Sequence, residues 1–152
     1  VPATFTLTFT GGGGLTGRLA CEVPPAGPAR VEVVLAGPAV GPGCVVVRDG
    51  ALPRPPAPSA ALRGEGLWLE AICETPGEHW TFGLEAFGLR VETHPDELGA
   101  LADDALRGDR VPVGAELEWE TGGRVHGELA VGARRIPVDG TGELSVAGVA
   151  LR

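Results

Sequence analysis

The chain of 152 residues has no Lys, Asn, Gln, Tyr or Met, and all 12 of its basic residues are Arg. That inventory matches the bias of a GC-rich coding sequence, so an individual Arg is not by itself a sign of function. Positive charge is also scarce. Twenty Asp and Glu outnumber the 12 Arg, giving a net charge of −8 and a pI near 4.8. Non-specific nucleic-acid binding depends on neutralising phosphates with cations, and an anionic membrane surface selects the same charge, so neither partner is expected. No stretch approaches 18 uninterrupted apolar residues, which excludes a transmembrane helix. No signal-peptide pattern opens the chain at Val1, so the expected location is cytoplasmic.

Chemically reactive side chains are few. The three cysteines, Cys21, Cys44 and Cys73, are odd in number and widely spaced, with no C-x-x-C and no His at ligand spacing. This pattern points to buried reduced thiols rather than a zinc site, and neither metal nor cofactor is expected. Ser59 and Ser145 are the only serines, and neither sits in a nucleophile-elbow pattern, so hydrolase chemistry has no support. The histidines number three: His79, His94 and His126.

Glycine and proline are abundant, with 25 Gly and 14 Pro, about a quarter of the chain. Such a fraction borders on low complexity. Yet 43% of the residues are hydrophobic and the mean hydropathy is +0.15, too apolar for a disordered chain. The alternative is many short strands broken by turns. Residues 3–10 alternate strictly, with Phe5, Leu7 and Phe9 on one face and threonines on the other. Gly11 to Gly14 reverse the chain into a second alternating run, which predicts a hairpin. Further strands are expected at 31–35, 44–47, 67–74, 79–92, 111–120, 124–131, 136–138 and 143–151. Asp49-Gly50 and Asp139-Gly140 read as turns, residues 53–58 as a rigid proline-rich connector, and Gly83 and Gly88 as bulge sites in a long strand. Pro95, the acidic pair Asp96 and Glu97, and the spacing of Leu98, Leu101, Ala102 and Ala105 predict one short helix near 95–107. The sum is an all-β, antiparallel barrel of about 8–10 strands, forming one domain over 1–152.

The segments Glu65-Gly66-Leu67-Trp68, Cys73-Glu74-Thr75-Pro76, His79-Trp80 and Gly83–Gly88 carry a family resemblance. So do Asp109–Val113, Leu117–Glu120 and Arg124–Glu128. In this order they resemble the first domain of the hydroxyneurosporene synthase (carotenoid hydratase) and AttH-like proteins, which are built of two lipocalin-like barrels. The resemblance covers about half of the chain well. It implies a lipocalin-like (calycin-type) barrel, here a first domain standing alone, and a connection to isoprenoid hydration or Diels–Alder-type cyclisation. The family's Asp-His-Ser-Trp motif is missing: Gly142 is followed by Glu143-Leu144-Ser145-Val146. Carotenoid hydratase activity is therefore not carried over.

Three functions follow as expectations. The first is a barrel that binds an apolar small molecule of terpenoid or polyketide type, lined by Trp68, Trp80, Phe82, Phe87, Trp119 and His126. The second is a cyclase or isomerase in natural-product biosynthesis. On one face of the long strand, Glu85 shares the side of His79 and Phe87. If that side lines a cavity, Glu85 becomes a proton donor with His79 as relay. The third is a homodimer that covers a face left open without a second domain. For His79 and His126 the plainer expectation is a strand histidine bonded to a neighbouring carboxylate, and for Glu116, Glu118 and Glu120 a solvated outer face.

Overall fold

The computed structural model describes residues 3–55, 61–102 and 105–148. Ten strands carry it: β1 (Ala3–Thr10), β2 (Thr16–Val23), β3 (Ala29–Gly37), β4 (Gly41–Leu52), β5 (Ala61–Gly64), β6 (Leu67–Thr75), β7 (His79–Val91), β8 (Asp109–Glu120), β9 (Arg124–Val131) and β10 (Arg134–Ala147). Except between β4 and β5, each strand pairs antiparallel with the next in sequence, and β10 returns to pair with β1. Strand β7 is long enough for two partners on one edge. Its first part pairs with β6, and Leu89–Val91 pair with Cys44–Val46 of β4. That second pairing closes β1–β4 and β7–β10 into an eight-stranded antiparallel barrel, consistent with a lipocalin-like one, with β5 and β6 extending the wall beside β7.

Alternation sets the faces as expected. Phe5, Leu7 and Phe9 point inward from β1, and Trp80, Phe82, Leu84 and Ala86 from β7. A 3-10 turn at Gly12–Gly14 makes the β1–β2 hairpin, closed by Gly11 N–H donating to Leu15 O at 2.9 Å.

Several local signals mean something else in three dimensions. Asp49-Gly50 is no turn; it lies inside β4, where the β3–β4 register shifts between Ala29 and Val31. Asp139-Gly140 lies inside a continuous β10, and Gly140 serves close approach, since a Cβ there would collide with the Thr10 carbonyl. Gly83 and Gly88 are not bulges, for the β7–β8 register runs unbroken from His79 opposite Glu120 to Arg90 opposite Asp109. Gly88 instead marks the place where β7 passes from β6 to β4, and a Cβ there would stand 2.9 Å from the Val46 carbonyl oxygen. Residues 53–55 of the proline-rich connector have no regular structure, and 56–58 lie outside the described residues.

The helix near 95–107 is a 3-10 helix over Pro95–Ala100, capped by His94, whose Nδ1 accepts from Asp96 N–H at 3.2 Å. Arg48 fastens its end to the barrel: the guanidinium donates to the Leu98 and Leu101 carbonyls, at 2.8 and 3.0 Å, and the first of these also accepts from Leu101 N–H. Leu98 and Leu106 then pack, with Leu101 beside them, on an outer apolar cluster made by Ala36, Cys44, Val46 and Val91.

The barrel interior is filled. Phe5, Leu7, Leu19, Val33, Leu35, Leu69, Leu84, Leu117 and Leu129 are 0–1% exposed or, for Leu117, 2%, within one continuous core cluster. A void wide enough for water would leave accessible surface on the side chains lining it, and these have almost none. Among the described residues, no helix is long and apolar enough to cross a membrane.

Candidate functional site

The residues expected to line a site divide between the two sides of the wall. Trp80 and Phe82 point into the core, each 2% exposed, with their rings 6.3 Å apart and Phe5 5.6 Å from Phe82. They fill space instead of bounding it. Trp119, also on the inward side of its strand, is half-buried against the core and leaves its indole Nε1 without a partner. The other five, Trp68, His79, Glu85, Phe87 and His126, alternate outward and share the outer face of β6–β9.

His79 and His126 occupy one end of that face. The β7–β9 register places Thr81, Glu118 and His126 in one row, with His79 one row away. Glu118 lies between the two imidazoles. Its Oε1 is 2.8 Å from His79 Nε2, and its Oε2 is 3.6 Å from His126 Nδ1. His126 Nε2 stands 3.5 Å from Glu120 Oε2 without forming a hydrogen bond. His79 is thus a carboxylate-bonded strand histidine, as the plainer expectation had it, whereas His126 only lies beside carboxylates without a hydrogen bond to either. Because the carboxylate separates the rings, they do not converge on a common point. Among the described residues no three His, Cys, Asp or Glu side chains are arranged to hold a metal ion.

Glu85 lies farther along the same strand. Six residues of β-strand separate it from His79, about 20 Å at 3.3 Å per residue. The two cannot serve one reacting atom. Glu85 is also exposed, and it lines an open groove of this outer face instead of an enclosed cavity.

What the face does contain is a pair of grooves divided by Trp68. The indole stands opposite Glu85 in register and leans over Gly83. One groove, of about 600 Å³, runs from Trp68 to Phe87 over Pro112, Gly114 and Ala130. Phe87 is 49% exposed, and the Arg110 guanidinium lies 4.0 Å from its ring centroid. Arg63 stands at the rim. The second groove, of about 520 Å³, lies on the other side of Trp68 over Gly83 and Gly127. Ile72, 43% exposed, and Glu70, Glu116 and Glu128 border it. Glu128 is paired with Arg135 at 2.8 Å.

Ile72 is not among the residues expected to line a site, although its parity with Trp68 and Glu70 along β6 places it outward. The two grooves were not readable, since they depend on which outward residues of four strands come side by side.

No protein-family model, curated protein or solved structure matches the chain. Fold and site together define a closed antiparallel β-barrel with a filled interior and a grooved, aromatic outer face.

Proposed function

We propose that this protein is a binding barrel that takes an apolar small molecule, of terpenoid or polyketide type, on the outer face of β5–β9. The observation that carries the reading is the Trp68–Phe87 groove. Its volume of about 600 Å³ lies in the range of small-molecule sites, about 300–1,000 Å³. Its glycine and alanine floor lets a ligand reach the backbone, and an exposed Phe87 is apolar surface that a ligand would cover. The resemblance to the first domain of the carotenoid hydratase and AttH-like proteins supports the same ligand class. The filled interior leaves the outer groove as the place for it. A cyclase or isomerase has less support, because His79 and Glu85 stand too far apart to share a substrate atom.

The test is a fluorescence titration with farnesol. Saturable quenching is expected in the wild type. It should be lost in Trp68→Phe, which removes the reporter in the groove, and weakened in Ala130→Phe, which fills the floor. Quenching that persists in both variants, or none in the wild type, overturns the reading. Sedimentation at high concentration separates it from a homodimer, which would bury Phe87 and Ile72 without any ligand.

A further inference from the structure

We infer that the open edge of β10 at Leu144–Val146 is an interaction surface for a second copy of this chain, the two β10 strands pairing antiparallel about a two-fold axis at Ser145.

Strand β10 changes partners along its length. Arg134–Thr141 pair with β9, and Thr141–Ala147 pair with β1. On the β9 side, Gly142 N–H still donates to Gly123 O at 2.7 Å. A strand residue directs its N–H and C=O to the same side, and that side alternates along the chain. Leu144 and Val146 therefore direct theirs as Gly142 does, away from β1, where no strand pairs with them among the described residues. Their side chains give the same sign. They face inward opposite Leu7 and Phe5, which are 0% and 1% exposed, yet they are themselves only partly buried.

The first half of β10 shows a guarded edge for comparison. On the side not bonded to β9 it carries Pro137, which has no N–H to offer, between the charges of Arg135 and Asp139. From Gly142 to Ala147 there is no proline, the register with β1 is unbroken, and Glu143 is the sole charge. An unguarded edge of this kind is a template for another strand.

The same edge, inverted, fits it. With Ser145 opposite the partner's Ser145, Leu144 falls opposite the partner's Val146 and Glu143 opposite the partner's Ala147. Every N–H and C=O that Leu144 and Val146 direct outward is then bonded. The one charge of the segment meets an alanine, so like charges are not opposed. The apolar side chains of the two strands share a face and cover each other. An isologous contact closes on itself, so the assembly stops at a dimer. So short an edge makes a small interface, and the dimer is correspondingly weak. It leaves the Trp68–Phe87 groove open and does not depend on the ligand proposed above.

Sedimentation of the wild type over about a hundredfold range of concentration should show monomer passing into dimer. Ser145→Glu and Ser145→Arg each set like charges face to face at the axis and should stay monomeric, while their equimolar mixture should dimerise again. Ser145 is exposed, so neither variant disturbs the core, which a thermal melt of each checks. Ser145→Cys should cross-link to itself on mild oxidation, because opposed residues of this type have Cα atoms about 4.5 Å apart, within disulfide reach. Glu143→Cys, opposite an alanine, should not. The native cysteines are buried and do not compete. A wild type that stays monomeric throughout, its edge taken by its own chain or kept for a strand of another protein, overturns the inference. So does a dimer that survives in Ser145→Glu, as one built on Phe87 and Ile72 would, or a Ser145→Cys variant that does not cross-link.

Discussion

The Trp68 indole lies across the backbone of Gly83, so near that a Cβ at Gly83 would stand 2.5 Å from Cη2 of the ring. The contact covers bare glycine backbone on the outer wall and holds the ring as the partition between two grooves. Gly83→Ala forces the ring away. Since the ring is half-buried and can swing, the expected cost is about 1 kcal/mol, at the low end for overpacking. Urea unfolding should show that loss, and the Trp emission maximum should move to longer wavelength. An unchanged spectrum would mean that Gly83 does not hold the indole.

Leu84 follows Gly83 and points the other way, 1% exposed in the core. A filled barrel predicts that Leu84→Ala leaves a cavity and costs about 2–5 kcal/mol. The urea midpoint reads this directly. A loss near 1 kcal/mol would indicate that the surroundings already contain free space or collapse readily into it.

Arg48 ties the segment around Leu98–Leu106 to the barrel. It is 11% exposed, bonds Glu32 at 2.8 Å and donates to the Leu98 and Leu101 carbonyls. Arg48→Met takes this donor from the Leu101 carbonyl and leaves the Leu98 carbonyl with the Leu101 N–H, for an expected loss of about 1–3 kcal/mol. Amide exchange should accelerate first at Glu97 and Leu101, whose N–H groups bond to His94 O and Leu98 O. Uniform acceleration across all strands would place the role of Arg48 in the barrel itself.

Cys21 makes stability depend on alkaline pH. Burial, and next to it the charge of Glu22, push its thiol up from 9.0 to about 12. Between these values the unfolded chain releases the proton while the folded chain keeps it. Stability is therefore unaffected by this group below pH 9 and falls above it, by about 1.4 kcal/mol per pH unit up to pH 12. Burial pushes Cys44 up as well, with the same sign. Denaturation of the wild type and of Cys21→Ala between pH 8 and 11 isolates the effect. Parallel curves would show that this thiol is not its source.

The strands and their faces were legible along the chain because burial in an antiparallel sheet repeats every two residues. Phe5, Leu7 and Phe9, and Trp80, Phe82, Leu84 and Ala86, declare their common side in sequence alone. The free thiols were legible for an equally local reason. Turn chemistry misled at Asp49-Gly50 and Asp139-Gly140, both inside strands; at Gly140 a glycine required for close backbone approach looks the same in sequence as one required for a turn. Inward and outward could be separated, but whether inward meant a cavity or a core could not. That depends on side chains from all the strands meeting at the barrel axis, where Phe5, Trp80 and Phe82 leave no room. Composition and alternation thus determined a β-barrel whose glycines and prolines punctuate strands. Only closure of β4 on β7 and the pairing registers decided that its interior is solid, that His79 and His126 share Glu118, and that Trp68 divides two grooves outside. Those are relations between residues far apart in sequence, and no local period records them.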